Sequence, residues 1–207
     1  MTPLERSFLQ ALLEHMPGTA ALTLPQRSSY ARVGDGAWSG GTFAAWGIDN
    51  REAAVRLTGA LGKHRFEVRT VDGTASPYLS LAAILGAGTL GVKAGRELEI
   101  AECAGMAVEL EEGERKRRGI VVRLPRTLVD ARAFLRADQE LCSVLGEEFV
   151  EKYLAVNEVR FIFIALVTFC YHVSDEKLSL LLFERSLFRS WRRCTLLTRL
   201  KRNARVS

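Results

Sequence analysis

A chain of 207 residues with 48% apolar and 26% charged side chains is long enough to bury a core, which excludes disorder as its default state. Its net charge of +5 invites a nucleic-acid partner, yet eight arginines and lysines against one glutamate fall between Glu184 and Ser207, leaving the remainder slightly acidic. The basicity belongs to a tail, and with no recognition motif beside it no nucleic-acid partner is expected.

The opening Met-Thr-Pro-Leu-Glu-Arg has no apolar secretory core, so no export is expected. Leu4, Phe8, Ala11 and Leu12 recur at helical spacing and predict an amphipathic helix ending near Met16, before Pro17-Gly18. From Ala20 to Gly41, serine, glycine and proline predict loops around short extended pieces. Strands are predicted over Ala53 to Leu57 and over the alternating Arg65 to Thr70, with Asp72-Gly73 turning the chain out of the second.

Pro77 can sit in the first turn of a helix whose residues Leu79 to Leu90 show no polar face, predicting a central packing helix buried on most sides. Two amphipathic helices follow, one from Thr127 through Arg136 and one capped by Asp138 and running to about Glu158. The apolar run Phe161 to Val173 is shorter than the roughly 20 residues of a membrane helix, so no membrane span is expected and a buried helix or strand is. Cys103, Cys142, Cys170 and Cys194 are scattered, without C-x-x-C pairs or histidines at zinc-finger spacing, and are expected as reduced thiols of a cytoplasmic protein. A few strands beside segregated helices predict the α+β class.

Alternation in Arg65-Phe66-Glu67-Val68-Arg69 puts two guanidiniums and a carboxylate on one strand face and two apolar side chains on the other. The bland reading is a solvated face of Arg–Glu pairs. The functional reading is a positive floor for anions, whose carboxylate can hold a hard cation. Arg32, Arg51 and Arg56 lie close in sequence and would enlarge that cluster, because planar guanidiniums bind carboxylate and phosphate bidentately.

The series Pro25-x3-Ser29-Tyr30-x-Arg32, Trp46-Gly47-x-Asp49-Asn50-Arg51-Glu52-x2-Val55-Arg56 and Arg65-x-Glu67-x-Arg69-x2-Asp72-Gly73-x2-Ser76-Pro77-Tyr78-Leu79 resembles the glutamine synthetase family. The resemblance covers Phe8 to Val92, with a fainter likeness from Leu124-Pro125 to the helix ending near Glu158. It implies the C-terminal part of that family's catalytic domain, an antiparallel sheet packed with helices, over residues 1–159. Residues 160–174 would be an apolar insertion foreign to the family, such as read-through of an intron. Residues 175–207 would be a C-terminal helix resuming at Asp175, followed by the basic tail.

By the same resemblance, Arg32 and Arg69 would bind the carboxylates of glutamate, Arg51 would be catalytic at the transferred phosphoryl group, Arg56 and Arg65 would face nucleotide phosphates, and Glu67 would ligate a metal. The implied cofactors are ATP and Mg²⁺. The implied substrates are glutamate and an amine, joined through γ-glutamyl phosphate in a homo-oligomeric enzyme. Asn50 and Tyr78 also match, with packing and catalysis equally able to explain them. Trp38 stands where ammonia-using members carry a flap glutamate. It resembles the branch that ligates other amines or has lost catalysis, and an indole there either closes over an apolar amine or packs under its loop. The family's earlier motifs, which supply further metal-binding glutamates, are missing from the sequence. A ligase fragment inactive by itself is therefore expected, with a non-catalytic structural or interaction protein as the alternative.

Overall fold

The computed structural model describes residues 1–60 and 62–172. Helix α1 (Pro3–Thr23) opens on a capping box in which Thr2 Oγ1 accepts from the Glu5 amide at 3.2 Å and Glu5 Oε2 accepts from the Thr2 amide at 2.6 Å. The helix passes through Pro17 and ends at Thr23, seven residues beyond its expected stop. Met16, Ala20, Ala21, Leu22 and Thr23 are all buried, so tertiary packing outweighs the roughly 3 kcal/mol that an internal proline costs. The expected loop after Ala20 thus begins later, and a 3-10 turn covers Arg27–Arg32 within it.

Three short strands form a mixed sheet in the order β1-β2-β3. β1 (Trp46–Ile48) runs parallel to β2 (Val55–Thr58), and β3 (Arg65–Val68) pairs antiparallel to β2 in the register Arg56↔Glu67 and Leu57↔Phe66. β1 is too short to show a sequence pattern. Its outer edge is closed by residues 100–103, where the Cys103 amide donates to the Trp46 carbonyl at 2.9 Å and Trp46 Nε1 to the Ile100 carbonyl at 2.8 Å. The ring of Phe66 stacks on Phe8 of α1 with centroids 6.1 Å apart, which ties β3 to the helical layer.

Helix α2 (Pro77–Ala94) starts with Pro77 in its first turn and ends on Gly95 in the left-handed conformation. It packs along α1 and, at Gly86, against Val144 and Leu145, so that its buried residues are the stripe Ser80, Ala83, Gly86, Ala87, Gly88 and Gly91. Tyr78, Leu81 and Leu85 are exposed, which corrects the expectation of burial on most sides. The small residues let α1 close in on one flank, and no described element covers the other. Among the described residues, α2 is also the one helix long and apolar enough to cross a membrane by length and composition.

A short helix α3 (Glu112–Arg117) and the helices α4 (Leu128–Ala137), α5 (Gln139–Leu145) and α6 (Glu147–His172) complete the described chain. Thr127 caps α4 by accepting from the Asp130 amide, and Asp138 caps α5 by accepting from the Leu141 amide, as their sequence positions predict. The helix expected from Asp138 to Glu158 is instead two, because Gly146 at φ +89° breaks it. The core lies where Leu9, Leu12, Leu13 and Met16 of α1 meet Leu135 and Leu141. The architecture is a partial α+β domain.

The chain divides into the units Met1–Glu158 and Val159–Ser207. Of the second, the structure describes the helical backbone through His172. The helix expected from Asp175 and the basic tail lie outside the described residues, as do Val173 and Ser174. Cys103 and Cys142 are free thiols.

Candidate functional site

The strand β3 places Arg65 and Glu67 on an exposed face and leaves Phe66 and Val68 half-buried on the other. Glu67 lies between two guanidiniums: one carboxylate oxygen pairs with Arg69 Nη1, and the other is 3.2 Å from Arg56 Nη1 on the neighbouring strand. The cross-strand register Arg56↔Glu67 makes the second contact, since opposite residues on one face are neighbours. Arg56 is held from its other side by Asp49 Oδ1 at 2.9 Å. Arg69 donates further to the backbone carbonyls of Arg51 at 3.1 Å and Trp38 at 2.5 Å.

The bond to Trp38 fastens a surface loop to the cluster. Glu52 holds the same loop, accepting from the Gly36 amide at 3.0 Å and the Trp38 amide at 2.8 Å. Asp35 accepts from the amide of Thr42 at 2.9 Å and from its hydroxyl. With its backbone thus pinned at φ +52°, Trp38 projects its indole into solvent, 68% exposed. Of the two readings left open for Trp38, packing under the loop is the one the structure does not show. Asn50 is structural, for its buried amide donates to the carbonyls of Cys103 at 2.7 Å and Gly105 at 2.9 Å while its oxygen accepts from the Glu52 amide. Tyr78 is 83% exposed, so packing within this chain does not account for it.

The expected convergence is therefore partial. Arg56, Glu67 and Arg69 are joined side chain to side chain, and Arg51 enters through its carbonyl. Arg65 shares the strand face but makes no hydrogen bond to the cluster. Arg32 ends the 3-10 turn and is exposed. Its charge acts on Asp72, whose pKa is lowered: burial raises it, but donors including the Thr74 amide and hydroxyl, together with Arg32, outweigh that effect. Asp49 and Glu52, which organise Arg56 and the loop, were visible in the sequence as motif residues without a role. Their function appears only when the left-handed turn at Asp49, φ +50°, doubles the chain back between β1 and β2.

The magnesium implied by the resemblance does not fit the residues of this chain alone. Among the described residues no group of three His, Cys, Asp or Glu side chains can hold a metal ion. Both oxygens of Glu67 already face guanidiniums, and a carboxylate between two positive charges is a poor seat for a divalent cation. The same face suits an anion, because guanidiniums outnumber carboxylates on it.

The site is thus an arginine-rich strand face fastened to a pinned loop, on a partial α+β body. The model of the glutamine synthetase catalytic domain matches residues 1–163, and the chain belongs to that family. Protein fluG of Emericella nidulans is 42% identical over 156 residues, which are 75% of this chain and 18% of the relative. Gamma-glutamylpolyamine synthetase GlnA3 of Streptomyces coelicolor is 37% identical over 162 residues, 76% of this chain and 34% of that enzyme. Among solved structures, a glutamine synthase homolog superposes with a TM-score of 0.61 at 29% identity, covering 86% of this chain and 38% of its own. GmaS in complex with ADP gives 0.62 at 26% identity, over 80% of this chain and 37% of that one. The chain thus spans about a fifth to a third of the curated relatives it matches.

Proposed function

We propose that this chain is part of an ATP-dependent glutamate–amine ligase acting through γ-glutamyl phosphate, and that it is inactive as an isolated polypeptide. The observation that carries the reading is the cluster of Arg56, Glu67 and Arg69, set on one sheet face beside Arg51 in a chain of this family. In this reading Arg32 and Arg69 take the carboxylates of glutamate, Arg51 the transferred phosphoryl group, and Arg56 and Arg65 the phosphates of ATP. Phosphoryl transfer is chiefly positioning and charge neutralisation, which guanidiniums supply in part and metal ions complete. Glu67 by itself cannot assemble those ions, so anion binding outlasts catalysis. Trp38, exposed at the rim, would meet the organic part of an amine larger than ammonia.

A second reading, a non-catalytic protein derived from such a ligase, is favoured by the engagement of both Glu67 oxygens with arginines. The two are separated by assaying the purified chain for γ-glutamyl hydroxamate with glutamate, ATP and hydroxylamine, and for ligation of a panel of amines. No product above a Glu67→Ala control is expected. Inorganic phosphate should nevertheless bind, and binding should fall at least tenfold in Arg51→Ala. Turnover by the chain alone would overturn its assignment as inactive, and phosphate binding indifferent to Arg51 would remove the anion site.

A further inference from the structure

A trough lies between α4 and the segment that leads into it. Ala133, Phe134 and Ala137 of α4 line one wall, three and four residues apart and so on one helix face. The segment Arg123 to Arg126 lines the other. The space between them is about 480 Å³, within the roughly 300–1,000 Å³ of small-molecule sites. The core takes a different face of α4, that of Leu128, Ala131 and Leu135. Ala133, Phe134 and Ala137 are therefore a second apolar face that stays exposed, Phe134 by 45%.

The walls are fixed by bonds within the chain. The Leu124 amide donates to the Thr42 carbonyl at 2.9 Å, and the Arg123 guanidinium stacks over the Phe43 ring, its carbon 4.6 Å from the centroid. Opposite, Thr127 caps the start of α4. A cavity preformed in this way costs a ligand little ordering of the protein.

Charge selects the occupant. Among the described residues neither Arg123 nor Arg126 meets a carboxylate. The one acid that lines the trough, Asp130, is turned onto the Thr127 hydroxyl at 2.7 Å. Two guanidiniums without counter-ions against one engaged carboxylate leave the site positive, which repels a cation. An inorganic anion would leave the apolar wall in water, and a neutral hydrocarbon would leave the guanidiniums without a partner. A carboxylate on an apolar body answers both walls, because the planar guanidinium matches its two oxygens and the Phe134 ring offers a stacking surface.

We propose that this trough binds a small organic carboxylate, its apolar body against Ala133, Phe134 and Ala137 and its charge on Arg123 and Arg126. The site shares no residue with the cluster of Arg56, Glu67 and Arg69 and goes beyond the ligase reading.

The test titrates the full chain with hydrocinnamate, a phenyl ring on a short carboxylate chain, and with its uncharged amide, followed by amide NMR. Saturable shifts at Ala133, Phe134 and Ala137 are expected with the acid, and at least tenfold weaker binding of the amide. Arg126→Gln removes one guanidinium, and Ala133→Trp fills the space. Each should weaken the acid at least tenfold, with circular dichroism unchanged because both positions are exposed. No saturable shift at those three residues, equal binding of acid and amide, binding indifferent to Arg126→Gln, or shifts centred on Leu81 and Leu85 of α2 would each overturn the proposal. Arg51→Ala should leave hydrocinnamate binding unaltered while abolishing that of phosphate, so the two sites fail or stand separately.

Discussion

The seam between α1 and α2 and the sheet face of β2 and β3 are built on opposite principles. Along the seam, Gly91 of α2 meets the backbone of α1 so closely that an added Cβ would lie 2.0 Å from the Ser7 carbonyl oxygen and 2.7 Å from the Ala11 Cβ. This surface is closed and specified by the absence of side chains. The sheet face is open, charged and pinned by arginine bonds to a loop, and among the described residues one edge has no partner strand. The closed seam is made of contacts within the chain, whereas the charged face carries the arginines to which the proposed anion binding is assigned.

If that division is right, substitutions in the two regions should differ in kind. Gly91→Val should have the largest effect, destabilising the fold by about 3 kcal/mol, because the clash is with backbone that cannot rotate away. Chemical denaturation would measure it, and a loss under about 1 kcal/mol would mean that the seam can open without cost to the body.

Between the two regions stands Asp72, whose amide donates to the Thr23 carbonyl at the end of α1 and whose carboxylate caps Thr74. Its native pKa is lowered, so the unfolded chain binds its proton at the higher pH. The stabilisation is complete above the ordinary carboxylate range near pH ~4 and is lost as pH falls through the lowered native value. Asp72→Asn should cost about 1 kcal/mol at neutral pH, given charge-assisted bonds partly open to solvent. That difference should shrink in acid. A deficit that persisted unchanged below pH ~3 would assign the effect to the turn and not to the charge.

On the open face, Glu67→Gln should change stability by no more than about 0.5 kcal/mol, as exposed ion pairs contribute little. It should tighten phosphate binding by the isolated chain, since it removes the one negative charge between Arg56 and Arg69. Weaker phosphate binding in this variant would show that Glu67 organises the arginines more than it neutralises them.

Sequence alone determined the strand face and the caps. The alternation of Arg65 to Arg69 requires a polar and an apolar side once the segment is extended, and Thr127 and Asp138 accept amide bonds whatever packs around them. The spacing of the arginine motifs was likewise enough to place the chain in its family. Tertiary structure decided what local propensity could not. It carried α1 through Pro17, because burial of residues 16–23 exceeds the cost of one lost backbone bond. It left one flank of α2 bare, because an apolar pattern states that a surface should be covered without saying by which chain. It also decided which arginines meet: Arg56 and Arg69 reach Glu67 through strand register, while Arg32 stays exposed at the end of its 3-10 turn. Register and the turn at Asp49 set those distances, and neither is encoded in the spacing of the residues they bring together.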